Sequence, residues 1–252
     1  MSEGWTDQEI DRIDDGMALL GWRFTTRATN DDSGLLGGIA EKALSLQSQK
    51  KLIGNELEKL SGEAYDILWA YIASAEWRAQ VVSDLYVRAP LMEPVIPLVD
   101  EATLSYFRGY FTAAFATLTI SLEAYLRRLT RWQPGDNDPT FRSLSKAVET
   151  FPESKAKGDV IRVLKGFYGR YEALRPTAFH FNRHRLLHGI EVPNPNDDMN
   201  CGRMFVLLDD IVAAEVGQYS SGYVWNQGLE ARISAYSVCV HLGSEKLFLK
   251  KV

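Results

Sequence analysis

Cysteine is scarce in this chain of 252 residues, which contains only Cys201 and Cys239. Two cysteines exclude a disulfide framework and a cysteine-rich zinc site, and they fit a reducing compartment such as the cytosol. Long apolar runs are also missing. The most apolar stretch, residues 110–125, is interrupted by three threonines, a serine and Glu123, so we expect no membrane span. The first residues have no basic segment followed by an apolar run, and we expect no secretory signal.

The sequence also lacks a surplus of positive charge, because 28 Lys and Arg face 33 Asp and Glu, for a net charge of −5. This balance excludes a general attraction for nucleic acid or anionic membranes, so any polyanion site must be a local basic patch. Residues 155–188 provide one, with eight basic residues against two acids. Five aromatic residues are interleaved there, as in sites that stack bases, although we expect most of them in the core.

Histidine is rare too, but three of the four histidines fall within residues 180–188. The same stretch holds Arg183, His184, Arg185 and His188, and it is followed by Gly189, which is suited to terminate a helix. Histidine titrates nearest to neutral pH, and the planar fork of arginine fits phosphate. Together these residues can hold a phosphodiester and move a proton beside it.

Metal binding is one alternative for this cluster. His180, His184 and His188 are spaced four residues apart, and histidines at that spacing can bind zinc on one helix face. However, Arg183 and Arg185 stand where a catalytic acid would be expected, and two cations beside a dication are unfavourable. We therefore predict no metal and no other cofactor. The remaining alternative is structural: the cluster would only satisfy buried polar groups and pair with acids.

Helical periodicity dominates the rest of the chain, and a Thr6–Glu9 capping box predicts the first helix. Residues 35–60 and 65–87 are predicted to form a helical hairpin after a loop at 30–34, with Gly62 between them. Further helices are predicted over residues 100–132, 141–151, 158–174, 177–189 and around 204–212.

Residues 100–132 give the strongest helix prediction. This helix is apolar nearly all round, which predicts a central, buried position with Glu123 as its interior acid. A buried carboxylate needs a partner, and we predict Arg183, with Arg185 as the alternate. Beyond residue 217 the alternation of apolar residues fits a β-hairpin, and a helical period fits equally well.

Three prolines between residues 90 and 97 mark a boundary. The predicted organisation is an N-terminal helical region (1–97), a helical bundle (98–217) and a small C-terminal extension (218–252). The fold class is mainly α.

The bundle resembles the HEPN superfamily, whose motif is an arginine, four to six residues and then a histidine. Arg183 and His188 have four residues between them, and His184 is the polar residue that often follows the arginine. Upstream, Tyr106-x-x-Gly109-Tyr110 leading to Glu123-x-x-Leu126 is similar to the first long helix of such domains. The resemblance covers roughly residues 100–217, and residues 1–95 resemble no family.

The resemblance implies a metal-independent endoribonuclease in which the 2′-hydroxyl of RNA attacks the adjacent phosphorus. A neutral His188 would remove the proton of that hydroxyl, and Arg183 would stabilise the charge on the phosphoryl oxygens. His184 and Glu123 complete the predicted catalytic set. The residues expected to bind RNA phosphates are Asn182, Arg185, Arg127 and Arg175.

The same resemblance implies a homodimer in the cytoplasm, with two Arg–His sets facing one cleft. A toxin or phage-defence effector is the expected context, and an antitoxin or regulatory protein would be a further partner. The rival prediction is a non-catalytic HEPN-like helical module that binds a nucleotide or a protein.

Overall fold

The computed structural model describes residues 6–22, 30–137, 139–152, 157, 160, 198–217 and 227–249. These residues are mainly helical and contain no strand, which confirms the mainly α class. In chain order, the α-helices of the described part are α1 (Asp7–Leu19), α2 (Asn30–Ser48), α3 (Gly54–Ile72), α4 (Ala75–Asp84), α5 (Ile96–Phe107), α6 (Phe111–Leu129), α7 (Phe141–Val148), α8 (Asp198–Val216) and α9 (Gln227–Leu249). Two short 3₁₀ helices, Tyr86–Arg88 and Glu93–Val95, lie between α4 and α5.

The chain divides into two compact units, with the first boundary between Ala73 and Ser74. In the described part, the first unit contains α1 to α3 and the second contains α4 to α9. This boundary lies upstream of the proline-rich segment. The helices predicted over 158–174 and 177–189 lie outside the described residues.

In the first unit, α1 starts at the predicted capping box: the Thr6 hydroxyl accepts from the Glu9 backbone N–H, and the Glu9 carboxylate accepts from the Thr6 N–H. Just after α1, the indole of Trp22 donates to the Ser61 carbonyl at 2.9 Å and stacks on Tyr65 with ring centroids 5.3 Å apart. This buried contact fixes the chain leaving α1 against α3.

The predicted bounds of the N-terminal helices were wrong in four places. Residues 30–34 belong to α2, and the predicted helix 35–60 is interrupted after Ser48, where Lys50 takes a left-handed φ of 57°. Gly62 lies inside α3, because a single glycine costs a helix only about 1 kcal/mol. The predicted helix 65–87 is broken where the Ser74 hydroxyl accepts from the Trp77 N–H at 3.3 Å and starts α4.

In the second unit, the single long helix predicted over residues 100–132 is two helices. α5 ends at Phe107, Gly109 just beyond it has a φ of 75°, and α6 folds back against α5. The backbone N–H groups of Gly109 and Tyr110 donate to the carbonyls of Tyr106 and Ser105, which is the Schellman pattern of a helix end. Glycine at this position has no Cβ to oppose the left-handed conformation, so the chain turns here despite its continuous apolar pattern.

Residues 227–249 form the helix α9, so the β-hairpin prediction was wrong and the helical alternative is confirmed. α9 packs against α4 and α5, and α8 packs against α6. Leu229 and Tyr236, which fit the helical period, are buried, whereas Val238 is 58% exposed. The alternation of residues 236–242 was therefore coincidental, and contacts with α4 and α5 select the helix.

Candidate functional site

Two residues of the predicted site, Glu123 and Arg127, are described by the structure, and both lie on α6. The others lie outside the described residues: Arg175, Asn182, Arg183, His184, Arg185 and His188. The predicted pairing of Glu123 with Arg183 or Arg185 therefore stays a prediction.

α6 presents one buried face and one exposed face, so the prediction that it is buried nearly all round was wrong. Its apolar residues Phe115, Leu118 and Leu122 are buried, whereas Ile120 is 57% exposed. Glu123 and Arg127 follow Ile120 by three and seven residues, which places all three side chains along one face. Both charged residues are half-buried, and neither is an isolated charge.

The C-terminal end of α6 has a Schellman motif in which arginine takes the place of the usual glycine. The N–H groups of Arg131 and Trp132 donate to the carbonyls of Arg128 and Arg127, at 3.0 and 2.9 Å. Arg131 has a φ of 55°, in the left-handed region. The turn also brings Trp132 back onto the helix, with the Arg127 guanidinium 4.3 Å from the centre of the indole ring.

Exposed cations lie at the C-terminal end of α6 and on α7. Arg128 and Arg131 are exposed at the end of α6, and Arg142 and Lys146 are exposed and one turn apart on α7, which packs against α6. Within the described part of the chain, these four residues form no ion pair with a carboxylate. No carboxylate among the described residues therefore neutralises their charge.

A buried polar network that the sequence did not predict joins α4 to α8. The guanidinium of Arg78 is fully buried and forms a two-pronged ion pair with Asp209, including an Nη1–Oδ1 bond of 3.1 Å. The hydroxyl of Tyr86 donates to the same carboxylate at 2.6 Å. Burial, and then the charge of Asp209, raise the pKa of the Tyr86 phenol well above its ordinary value. The phenol therefore stays protonated and acts as a donor.

A second arginine–carboxylate–tyrosine set joins α5 to α9. Arg232 donates to both oxygens of Asp100, with an Nε–Oδ1 distance of 3.0 Å, and the Tyr236 hydroxyl donates to the same carboxylate. Burial and then Asp100 raise the pKa of the Tyr236 phenol, while the charges of Arg232 and Arg78 act in the opposite direction. Arg232 also donates to the Ser83 hydroxyl at 3.2 Å, and Ser83 lies on α4 with Arg78, so the two sets meet at α4.

A third tyrosine–carboxylate pair lies at the end of α8. The Tyr125 hydroxyl donates to Glu215 at 2.8 Å, and the other oxygen of this carboxylate accepts from the Leu91 backbone N–H at 3.2 Å. Burial is the main cause that raises the pKa of Glu215. This carboxylate therefore ties α6 and the segment before α5 to α8.

These three sets join α4, α5, α6, α8 and α9 through polar groups that are mostly buried. The sequence contained one signal for the set that includes Asp209. Asp209 and Asp210 interrupt an apolar helix between Leu208 and Ile211, and both acids are buried. Acids at such positions require partners.

Within the described residues, no group of three His, Cys, Asp or Glu side chains is close enough to hold a metal ion. The histidines of the metal alternative lie outside these residues. In the same part of the chain, no helix has an apolar stretch of sufficient length to cross a bilayer. Comparison of the whole chain with protein-family models, curated proteins and solved structures gives no match.

Proposed function

We propose that this chain is a metal-independent endoribonuclease of the HEPN type, acting in the cytoplasm as a toxin or phage-defence effector. One observation carries the proposal: Arg183 and His188 have the motif spacing, in a chain whose α6 has the half-buried acid Glu123 on its accessible face. On the proposed arrangement, the Arg183–His188 segment packs along this face, and Glu123 orients Arg183.

The chemistry follows from the side chains. His188 accepts the proton of the 2′-hydroxyl, and the resulting oxygen nucleophile attacks the adjacent phosphorus, while the 5′-oxygen leaves and takes a proton from water. Arg183 stabilises the negative charge that grows on the non-bridging oxygens, through two parallel N–H donors. The products are a 2′,3′-cyclic phosphate and a 5′-hydroxyl. Arg127, on the same α6 face as Glu123, supplies a further phosphate contact.

The negative charge on the rest of the chain favours binding of RNA at one region of the protein only. Residues 1–73 contain thirteen acids and seven bases, a net charge of −6, so this part repels bulk RNA. Positive charge is concentrated between residues 124 and 188, with thirteen bases against six acids. RNA is therefore attracted only where the proposed site lies.

The test is cleavage of single-stranded RNA in the presence of a chelator. We expect His188→Ala to lower the rate by roughly 10²–10⁴-fold while RNA affinity stays nearly unchanged. Arg183→Ala should lower rate and affinity together, and Arg183→Lys should restore only part of the loss, because lysine lacks the planar fork. His184→Ala should have a smaller effect than His188→Ala.

The matched control is a substrate with a 2′-deoxy sugar at the cleaved position, which should be inert because the nucleophile is missing. Cleavage of that substrate, or loss of the parent's cleavage on adding chelator, would contradict the mechanism and favour metal binding by the histidines. RNA or nucleotide binding without any cleavage would instead favour the non-catalytic module.

A further inference from the structure

We propose that the C-terminal end of α6 and the adjoining helix α7 bind single-stranded RNA, so that a flanking part of the substrate is held there. The surface, called here the α6-end surface, consists of Arg127, Arg128, Arg131, Trp132, Arg142 and Lys146. The inference rests on the proposed function for the identity of its ligand, RNA. It goes beyond that function by adding a binding surface with a stacking platform.

The stacking platform is the pair formed by Arg127 and Trp132. The guanidinium lies 4.3 Å from the ring centre, and both residues remain half-exposed. The indole N–H donates to the Asp136 carbonyl at 3.2 Å, which fixes the orientation of the ring. The Asp136 carboxylate itself accepts from the Gln133 backbone N–H at 2.8 Å. A fixed indole beside a guanidinium suits an unpaired base, because stacking of bases on aromatic and arginine planes is independent of sequence.

The cations of the α6-end surface suit the phosphate backbone of single-stranded RNA. Residues 124–148 contain five bases and two acids, a net charge of +3 in a chain of net charge −5. Arg128, Arg131, Arg142 and Lys146 are exposed and form no ion pair in the described part of the chain. An acidic peptide would also be attracted by this charge, but it would make no use of the aromatic platform. The combination therefore favours RNA.

Arg131 shares its left-handed backbone conformation with Lys50. Four helix ends in the described residues form Schellman motifs; α1 and α5 use Gly21 and Gly109 at the left-handed position, whereas α2 and α6 use Lys50 and Arg131. A side chain larger than glycine is disfavoured at this position, and both Lys50 and Arg131 carry this strain. A basic residue at a helix C-terminus also complements the helix dipole, which applies equally to Lys50 and Arg131.

Lys50 therefore provides a matched control for Arg131. It has the same backbone conformation, motif and charge, but residues 41–63 around it contain four bases and four acids. Arg131→Gly and Lys50→Gly both remove one positive charge from a left-handed position that favours glycine. Neither variant should lower the melting temperature, so a difference in RNA binding reports on the surface and not on folding.

The experiment is fluorescence anisotropy of the full chain with a labelled single-stranded 2′-O-methyl oligoribonucleotide, titrated at several salt concentrations. This probe has no free 2′-hydroxyl, so binding is measured without the proposed cleavage. We expect Arg131→Gly to weaken binding and to reduce the slope of log affinity against log salt by about 0.7, the value for one phosphate contact on a single strand. Lys50→Gly should match the parent, and Trp132→Leu should weaken binding by about tenfold through loss of one stacked base.

Three results would overturn the inference: no binding by the parent at low salt, equal affinity of Arg131→Gly and Lys50→Gly, or equal binding of a poly-glutamate peptide. The last result would point to an acidic protein partner. Failure of the proposed function is distinguishable from failure of this inference. A parent that binds through Arg131 but cleaves no RNA contradicts the ribonuclease and leaves the surface standing. A parent that cleaves RNA, with KM unchanged in Arg131→Gly, contradicts only the surface.

Discussion

At the scale of single residues, burial decides what an ion pair contributes. Arg78 has 0% side-chain exposure in its pair with Asp209, whereas the pair of Arg12 with Glu41 is 65% and 48% exposed. A buried charge that loses its partner keeps its desolvation penalty, and an exposed charge regains water. Similar bonds therefore have very different consequences when one partner is removed.

We predict that Asp209→Asn lowers the free energy of unfolding by about 3–5 kcal/mol, because it leaves the Arg78 guanidinium buried without a counter-charge. Glu41→Gln is the control and should cost less than about 1 kcal/mol. Chemical denaturation of both variants measures the difference. Equal losses in the two variants would show that Arg78 reaches water in solution.

Glu215 gives the chain a pH-dependent contribution to stability. Its pKa is raised in the fold by burial, so the folded state holds this proton to higher pH than the unfolded chain does. The contribution is fully present below the unfolded pKa of about 4.3 and is lost as pH rises through the folded pKa. Glu215 therefore stabilises the fold less at neutral pH, where it is ionised, than at acidic pH, where it is protonated.

For Glu215→Gln we expect the melting temperature relative to the parent to increase as pH rises from about 4 to 7, since glutamine has no charge to bury. The amide oxygen can still accept a hydrogen bond from Leu91 N–H, and the amide N–H can donate to the Tyr125 oxygen. Glu101→Gln, at an exposed position on α5, serves as the control for a simple change in net charge. A melting-temperature difference between variant and parent that stays constant across this pH range would contradict the raised pKa of Glu215.

At the scale of elements, the close crossing of α1 and α2 depends on Gly16. A Cβ built on Gly16 would lie 2.5 Å from the Ala40 carbonyl oxygen and 2.7 Å from the Ala40 Cβ. Backbone occupies the space, so a side chain there must push the two helices apart. Gly38 in α2 is the opposite case, with no atom within 4 Å of the Cβ position.

We predict that Gly16→Ala destabilises the protein by about 1–3 kcal/mol, because overpacking outweighs the better helix propensity of alanine. Gly38→Ala should stabilise it by about 0.5–1 kcal/mol, since only the propensity changes. Thermal unfolding of the two variants measures both changes in stability. Stabilisation by both substitutions would mean that α1 and α2 do not cross at Gly16 in solution.

At the scale of the whole molecule, the proposed chemistry favours a two-fold dimer. One Arg–His set per chain, beside a basic region on an otherwise acidic protein, gives a stronger RNA site when two copies face each other. We expect light scattering at tens of micromolar protein to give twice the mass of one chain. This concentration is suited to dimers with micromolar dissociation constants. A mass equal to a single chain throughout that range would contradict the dimer and leave each Arg–His set to act alone.

Arg183 and His188 were selected from the sequence because the spacing of the motif lies within one short stretch, and they stay a prediction because they lie outside the described residues. The exposed face of α6 was missed, because an apolar helix looks the same whether its neighbours cover one face or all of them. The Arg127–Trp132 stack was missed for a different reason: it needs the left-handed turn at Arg131, and sequence patterns predict such a turn where glycine stands.

The sequence by itself determined the helical class and the starts of helices whose signals are local. The Thr6 cap and the helix over Phe141–Val148 depend on residues three or four positions apart, so short-range hydrogen bonds fix them in any context. Tertiary structure decided what depends on distant residues. Arg78 meets Asp209 across 131 positions, and α9 is a helix because α4 and α5 bury one of its faces. Such contacts form only when the chain has folded. The free energy of burying apolar surface and of pairing buried charges then decides between helix and strand where local propensity favours neither.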